Sequence, residues 1–122
     1  EQHEYQFMYT DADGHHFMNQ TTYDQINISG DIIGYPANFL QEGMIVTVES
    51  FEGEPLSVEL PQHVTMMITE ADPVVKGQTA SSSYKPATLE NGVKIQVPPF
   101  VTSGTRVVIK TEDGSYVERA KD

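Results

Sequence analysis

The chain has 122 residues, no cysteine and a formal net charge of −11 at pH 7. That length holds one ordinary domain or two small ones, and the missing thiols exclude a disulfide framework and a thiolate zinc site. No apolar run reaches the roughly 18 residues of a membrane span, and none at the start reads as a signal peptide. A cytoplasmic protein is expected, and Glu1 in place of Met points to a processed or cloned fragment.

Charge divides the chain. Residues 1–62 hold eleven acids and no Lys or Arg; residues 63–122 hold seven of each. A surface with that field repels free nucleic acid, because phosphate binding draws on Lys and Arg. Solubility alone accounts for the acidity equally well. Either way, the composition breaks in the low sixties.

Taken in chain order, the dominant period is two. Tyr5, Phe7 and Tyr9 share one face of a first strand and, without interleaved bases, are expected in the core rather than as stacking platforms. Asp13-Gly14 is a turn. A short helix is predicted from about Pro36 to Gln41, with Pro36 in its first turn and Gly43 stopping it. Met44, Val46 and Val48 then alternate with Ile45, Thr47 and Glu49. After a turn at Glu52-Gly53, Leu56, Val58 and Leu60 alternate with Ser57 and Glu59. The pattern stops and restarts across Leu60-Pro61-Gln62-His63. Val64, Met66 and Ile68 continue it, as do Val93, Ile95 and Val97, with turns at Asn91-Gly92, Ser103-Gly104 and Asp113-Gly114.

An internal echo runs at an offset of 61. Gly43-x9-Gly53 falls on Gly104-x9-Gly114, and Val46, Val48 and Leu56 fall on Val107, Ile109 and Val117. The prediction is an all-β protein: two small five-stranded OB-type β-barrels in tandem, residues 1–62 and 63–122, with one short helix in the first. Closure suits such small units because it removes exposed sheet edges.

The Gly/Ser/Thr stretch from Val74 to Tyr84, bracketed by Lys76 and Lys85, offers backbone N–H groups and hydroxyls of the kind OB-barrel loops use for contacts. Composition alone favours a plain connector. His15 and His16 lie beside Asp11 and Asp13, but neighbours on a strand point to opposite faces and share an ion poorly. Glu70 and Asp72 form no calcium loop. The serines at 81–83 have no nucleophile elbow, and no phosphate loop ends in Gly-Lys-Ser or Gly-Lys-Thr. The chain reads as a non-enzyme with no catalytic residue, metal or cofactor. Its residues alone also fit a generic OB module for single-stranded nucleic acid or protein, although such a binder needs a basic groove in both halves.

The run from Lys85 to Gly104 is more specific. Lys85, Ala87, Gly92, Ile95, Val97, Pro98, Val101 and Gly104 stand at the mutual spacings of the signature of bacterial translation elongation factor P, which the chain resembles throughout. Val75 to Ala80 and Gly114 to Arg119 extend the likeness, and His16-Phe17-Met18, Thr22 to Gln25, Phe39 to Met44 and Val58 to Pro61 carry it weakly forward. Pro86 and Pro98 cannot donate to a ladder, so Lys85-Pro86-Ala87 and Val97-Pro98-Pro99 are expected to mark strand ends or bulges.

The resemblance implies the second and third domains of that family, without its N-terminal SH3-like domain. It implies a monomer that binds the ribosome between the peptidyl and exit sites, beside peptidyl-tRNA, and promotes peptide-bond formation at proline-rich stalls. The modified residue that does so sits at the tip of the domain not matched here. This chain would be the acidic, tRNA-like scaffold positioning it. The resemblance also makes the loop Lys76, Gly77, Gln78, Thr79, Ala80, Ser81, Ser82, Ser83, Tyr84 and Lys85 the contact with the ribosome and exit-site messenger. Gln78, where many relatives have Asp, and the serine run depart from the usual loop.

Overall fold

The computed structural model describes residues 1–72 and 84–121, and the chain divides into two compact units, Glu1–Pro61 and Gln62–Asp122. The first contains β1 (Gln2–Asp11), β2 (Gly14–Asn19), β3 (Gln25–Ile28), β4 (Ile45–Phe51) and β5 (Glu54–Glu59). The second contains β6 (His63–Ala71), β7 (Lys85–Leu89), β8 (Lys94–Val97), β9 (Arg106–Lys110) and β10 (Tyr116–Arg119). Strand order is β3-β2-β1-β4-β5 in one and β10-β9-β6-β7-β8 in the other, all neighbours antiparallel. Read from the opposite edge, the second order repeats the first strand for strand. Each unit is a curled five-stranded OB-type sheet, and in the second β10 comes against β8.

The echo of 61 extends into the hydrogen bonding. Tyr5 pairs Val46 and Met66 pairs Val107; His3 pairs Val48 and Val64 pairs Ile109. Val46, Val48, Val107 and Ile109 are all buried, because alternation sends every second residue of a half-buried strand inward. Phe7 meets Phe17 across one pair and Ile68 meets Leu89 across its counterpart. The two phenyl rings pack edge to face at 5.5 Å, a favoured aromatic geometry. Ser50 N donates to Glu1 O at 2.8 Å, and Thr111 N to Gln62 O at 3.0 Å. Even the glycine echo is explained. Gly43 N donates to Phe7 O at 2.9 Å and Gly104 N to Ile68 O at 2.7 Å, both at φ near +87°, +86° and +89° respectively, where an L side chain is strained.

Bulges correct the alternation at four places. The pairing skips Met8 in β1 and Thr69 in β6, positions again 61 apart, and skips Leu56 in β5 and Val117 in β10, likewise 61 apart. An extra residue turns the strand over. Tyr9 therefore leaves the Phe7 face, is 50% exposed, and stacks on His16 at 4.4 Å. It is not in the core as expected; Phe7 is buried and Tyr5 half-buried. Leu56, expected inward by alternation, and Val117, its counterpart in the echo, are 59% and 41% exposed as the bulge residues themselves.

The helix also departs from expectation. Residues Tyr35–Phe39 form a 3-10 turn with Pro36 at its start; Leu40 N reaches back to Ala37 O at 3.3 Å, and Leu40 is already extended. An unexpected helical turn, α1 (Gly30–Ile33), precedes it. Ser29 caps α1 by accepting from Asp31 N at 3.2 Å, as short hydroxyl side chains do for orphan amides. Ile33 and Phe39 bury their side chains, each worth roughly 1.5–3 kcal/mol relative to exposure. Gly43 closes no helix; its role is the bond to Phe7 O.

Candidate functional site

Of the loop singled out in the sequence, Lys76 through Ser83 lie outside the described residues. Its end does not. Tyr84 is 55% exposed, and Lys85 opens β7 opposite Val97, the last residue of β8. The signature residues form the frame behind them. Ala87, Ile95, Val97 and Val101 are buried; Gly92 N donates to Leu89 O in the β7–β8 turn. Pro86 lies one residue beyond the reach of β6, whose pairing with β7 begins at Ala87. Pro98 follows the end of β8. Pro86 nevertheless stands within the β7–β8 ladder opposite Gln96 and marks no bulge, whereas Pro98 lies outside it.

Across from this end stands β10. Burial raises the Tyr116 phenol above its usual range, and the Tyr84 and Glu118 side chains add to the rise while Arg119 opposes it. Tyr116 thus lies within electrostatic reach of both Tyr84 and Arg119. The Arg119 guanidinium rests 5.0 Å above the Phe100 ring, and that ring is 57% exposed. An open cleft of about 590 Å³ follows, lined by Gly104, Thr105, Arg106, Glu118, Arg119, Ala120 and Lys121.

Phe100 and Arg119 escaped the sequence reading. The echo places Phe100 on Phe39, and the turn bonds agree: Val101 N reaches Pro98 O at 3.1 Å as Leu40 N reaches Ala37 O. Phe39 is buried, whereas in the second unit Val101 is buried and Phe100 faces out. The signal was the link length. Residues 29–44 join β3 to β4 and build α1 and the 3-10 turn, while residues 98–105 join β8 to β9 with no helix.

In the first unit the two histidines do take opposite sides. His16 Nε2 bonds Asp11 Oδ1 at 2.8 Å, and that bond, then the Asp13 amide, holds the exposed Asp11 carboxyl below its ordinary range. His15 bonds Thr10 Oγ1 at 2.7 Å and lies 6.3 Å from Phe7; burial, then the His16 charge, lowers its imidazole. Among the described residues no group of three or more His, Asp or Glu is placed to hold a metal ion. No helix there is long and apolar enough to cross a membrane.

The fold defines a tandem OB-barrel protein whose candidate site is an exposed surface of rings and cations. Comparison with known proteins sharpens this. Residues 1–58 match the elongation factor P (EF-P) OB domain, and residues 64–119 match elongation factor P, C-terminal. Proteins called elongation factor P from Rhodospirillum centenum, Methylobacterium nodulans and Sinorhizobium fredii are each 61% identical over all 122 residues. The chain spans 65% of the length of each of them. It belongs to the elongation factor P family.

Proposed function

We propose that this chain is the two-barrel scaffold of a translation elongation factor. The supporting observation is identity of 61% running through both units to relatives named for that role. On this reading the intact protein is a cytoplasmic monomer without catalytic residues of its own. It binds the ribosome near the peptidyl and exit sites, beside peptidyl-tRNA, and stimulates peptide-bond formation at proline-rich stalls. The group that reaches the reacting centre belongs to an SH3-like domain outside this sequence. The barrels supply position, which lowers a barrier when proline is a poor reactant. Lys76 to Lys85 form the contact with the ribosome and exit-site messenger.

Two measurements test this. Adding residues 1–122 to a translation system lacking the factor should leave a triple-proline stall in place, while the full-length protein relieves it. Relief by the fragment contradicts the scaffold role. In the full-length factor, Lys76→Ala with Gln78→Ala should change stability by less than about 0.5 kcal/mol while weakening ribosome binding, since charge-assisted contacts are worth roughly 1.5–3 kcal/mol each. A stability loss with unchanged activity per folded molecule makes the loop architectural.

A further inference from the structure

The first unit holds another open cleft, of about 640 Å³, lined by none of the signature residues. That volume lies within the roughly 300–1,000 Å³ usual for small-molecule sites. Its floor follows from the register. Residues opposite one another in an antiparallel pair point to one face, so His3 with Val48, and Tyr5 with Asn19 and Val46, share the inner side of the sheet where β1 begins. Tyr5 and Ile26 are half-buried and Val48 is buried, and Pro55 adds to this apolar floor.

Asn19 is the unusual residue of the lining. It is only 7% exposed, a buried polar side chain in a unit whose core is otherwise apolar. Residues 20–24 wind around it. Asn19 N donates to Asp24 O at 2.8 Å and Tyr23 N donates to Asn19 O at 2.9 Å, with Tyr23 at φ +65°. Oδ1 accepts from Thr21 N at 2.7 Å and from Thr22 N at 2.9 Å. These bonds use Oδ1 and fix the carboxamide, while no described residue accepts from Nδ2. No fully buried side-chain N or O among the described residues lacks a partner, so Nδ2 opens onto the cleft with its two donors.

The rest of the lining offers a carboxylate and hydroxyls, from Asp24, Thr21, Thr22 and Ser50, and residues 1–62 contain no Lys or Arg. An anion therefore finds no counter-charge here and meets the field of eleven acids. An organic cation sets its own N–H groups against those of Nδ2. A neutral polyol suits both ends, because a hydroxyl accepts from an amide and donates to a carboxylate. We propose that this cleft binds a neutral saccharide, with one hydroxyl accepting from Asn19 Nδ2, another donating to Asp24, and the C–H face of the sugar ring against Tyr5. The carboxamide is fixed before the ligand arrives, which limits the ordering cost of binding. The site uses no residue of the Lys76–Lys85 contact and needs no ribosome, so this inference and the elongation-factor reading fail independently.

The test is a heteronuclear NMR titration of the 122-residue chain with maltose, reading the Asn19 side-chain NH2 pair and the amides of Thr21, Thr22 and Asp24. Glucose, glucosamine and glucose 6-phosphate form a neutral, a positive and a negative arm. Maltose should shift these signals saturably with a dissociation constant of about 10 mM or tighter. Asn19→Asp keeps an oxygen for the Thr21 and Thr22 amides and removes the donors, and should weaken maltose about tenfold, as the loss of one buried hydrogen bond does. Asp24→Asn should cost about threefold, and Glu59→Gln, an acid on β5 outside the cleft, less than about twofold. Thermal melts verify that each variant is folded; if Asn19→Asp is not, Asp24→Asn against Glu59→Gln decides alone. No saturable shift at the Asn19 NH2 pair overturns the proposal. So does tighter binding of glucosamine or glucose 6-phosphate than of glucose, which makes charge the attraction, and so does an equal loss in Glu59→Gln. Maltose binding retained in the full-length factor supports the proposal. Binding by the 122-residue chain that the full-length factor excludes gives the cleft to a neighbouring domain and overturns it.

Discussion

The two barrels share a skeleton and differ in nearly everything mounted on it. Pairing register, inner residues, first-strand bulges, last-strand bulges and the glycine bonds at 43 and 104 recur at an offset of 61. The links between the third and fourth strands, the aromatic that faces inward and the charge do not recur. The first unit spends residues 29–44 on α1 and a 3-10 turn that bury Phe39. The second makes the same crossing in residues 98–105 and turns Phe100 outward beneath Arg119. The backbone bonding repeats in both barrels, and the aromatic is core on the longer link and surface on the shorter one. Every Lys and Arg lies in the second unit.

The largest expected effects test whether the cores are equivalent. Phe17 and Leu89 occupy matching positions opposite Phe7 and Ile68, and both are almost wholly buried. Phe17→Ala should destabilise its unit by about 3–5 kcal/mol and Leu89→Ala by about 2–5 kcal/mol, as large-to-small core changes do. Amide hydrogen exchange on the strands of each unit reads the two losses separately. A cost below about 1 kcal/mol at Phe17 breaks the view that the edge-to-face phenyl pair is the centre of the first core.

A sharper comparison uses the glycines. A Cβ at Gly43 meets Gln6 Nε2 at 3.7 Å, and one at Gly104 meets nothing within 4 Å. Crowding is therefore ordinary at both, and the positive φ alone sets the cost. Gly43→Ala and Gly104→Ala should each lose about 1–2 kcal/mol, equal within about 0.5 kcal/mol. Unequal losses under chemical denaturation mean that the shared φ is not what selects glycine.

How much of this was legible follows from the same residues. Alternation exposed the strands because burial on one face imposes period two, and the Gly-x9-Gly repeat exposed the tandem because its turns need glycine. Bulges left no trace. Leu56 and Val117 keep the period in sequence while the backbone steps around them, and Tyr9 follows Phe7 at the spacing of one face although Met8 intervenes. The helical turn at Gly30–Ile33 was legible in principle, from Ser29 and Asp31 as cap and first-turn acid. It is too short for periodicity to reveal. At the candidate site, the signature named residues such as Ala87, Val97 and Val101 that build the frame. The exposed partners Phe100 and Arg119 are far apart in sequence and meet only when the barrel closes.

A smaller effect separates the units by pH. His15 has its folded-state pKa lowered from 6.5, chiefly by burial, so protonation opposes folding. Stability should be level above pH 6.5, fall as pH drops through that value, and level off again below the folded-state pKa. Asp11 acts later: its depressed folded pKa gives stability present above 3.8 and lost as pH falls through the folded value. His15→Gln should flatten the first decline for the first unit. The second has its sole histidine, His63, at the first position of β6. Identical slopes for both units in pH-dependent exchange rule His15 out as the cause.

The smallest expected effect returns to the bulges, where sequence and structure disagree most directly. Alternation puts Leu56 in the core, and the echo sets Val117 beside it; truncation of a core Leu to Ala costs about 2–5 kcal/mol. The pairing instead leaves both as unpaired, outward residues. Surface changes of that kind usually stay within about 0.5 kcal/mol. Leu56→Thr and Val117→Thr should therefore be nearly neutral, and because Thr suits an exposed strand position neither should disturb the neighbouring ladder. Val58 is the internal control: it is buried one step beyond the Leu56 bulge, and Val58→Thr places a hydroxyl among apolar side chains. Its loss should exceed that at Leu56 by more than about 1 kcal/mol, the usual least cost of burying an unpaired hydroxyl. If denaturation midpoints fall equally for Leu56→Thr and Val58→Thr, the bulge does not turn β5 over and the two barrels part company at their last strand.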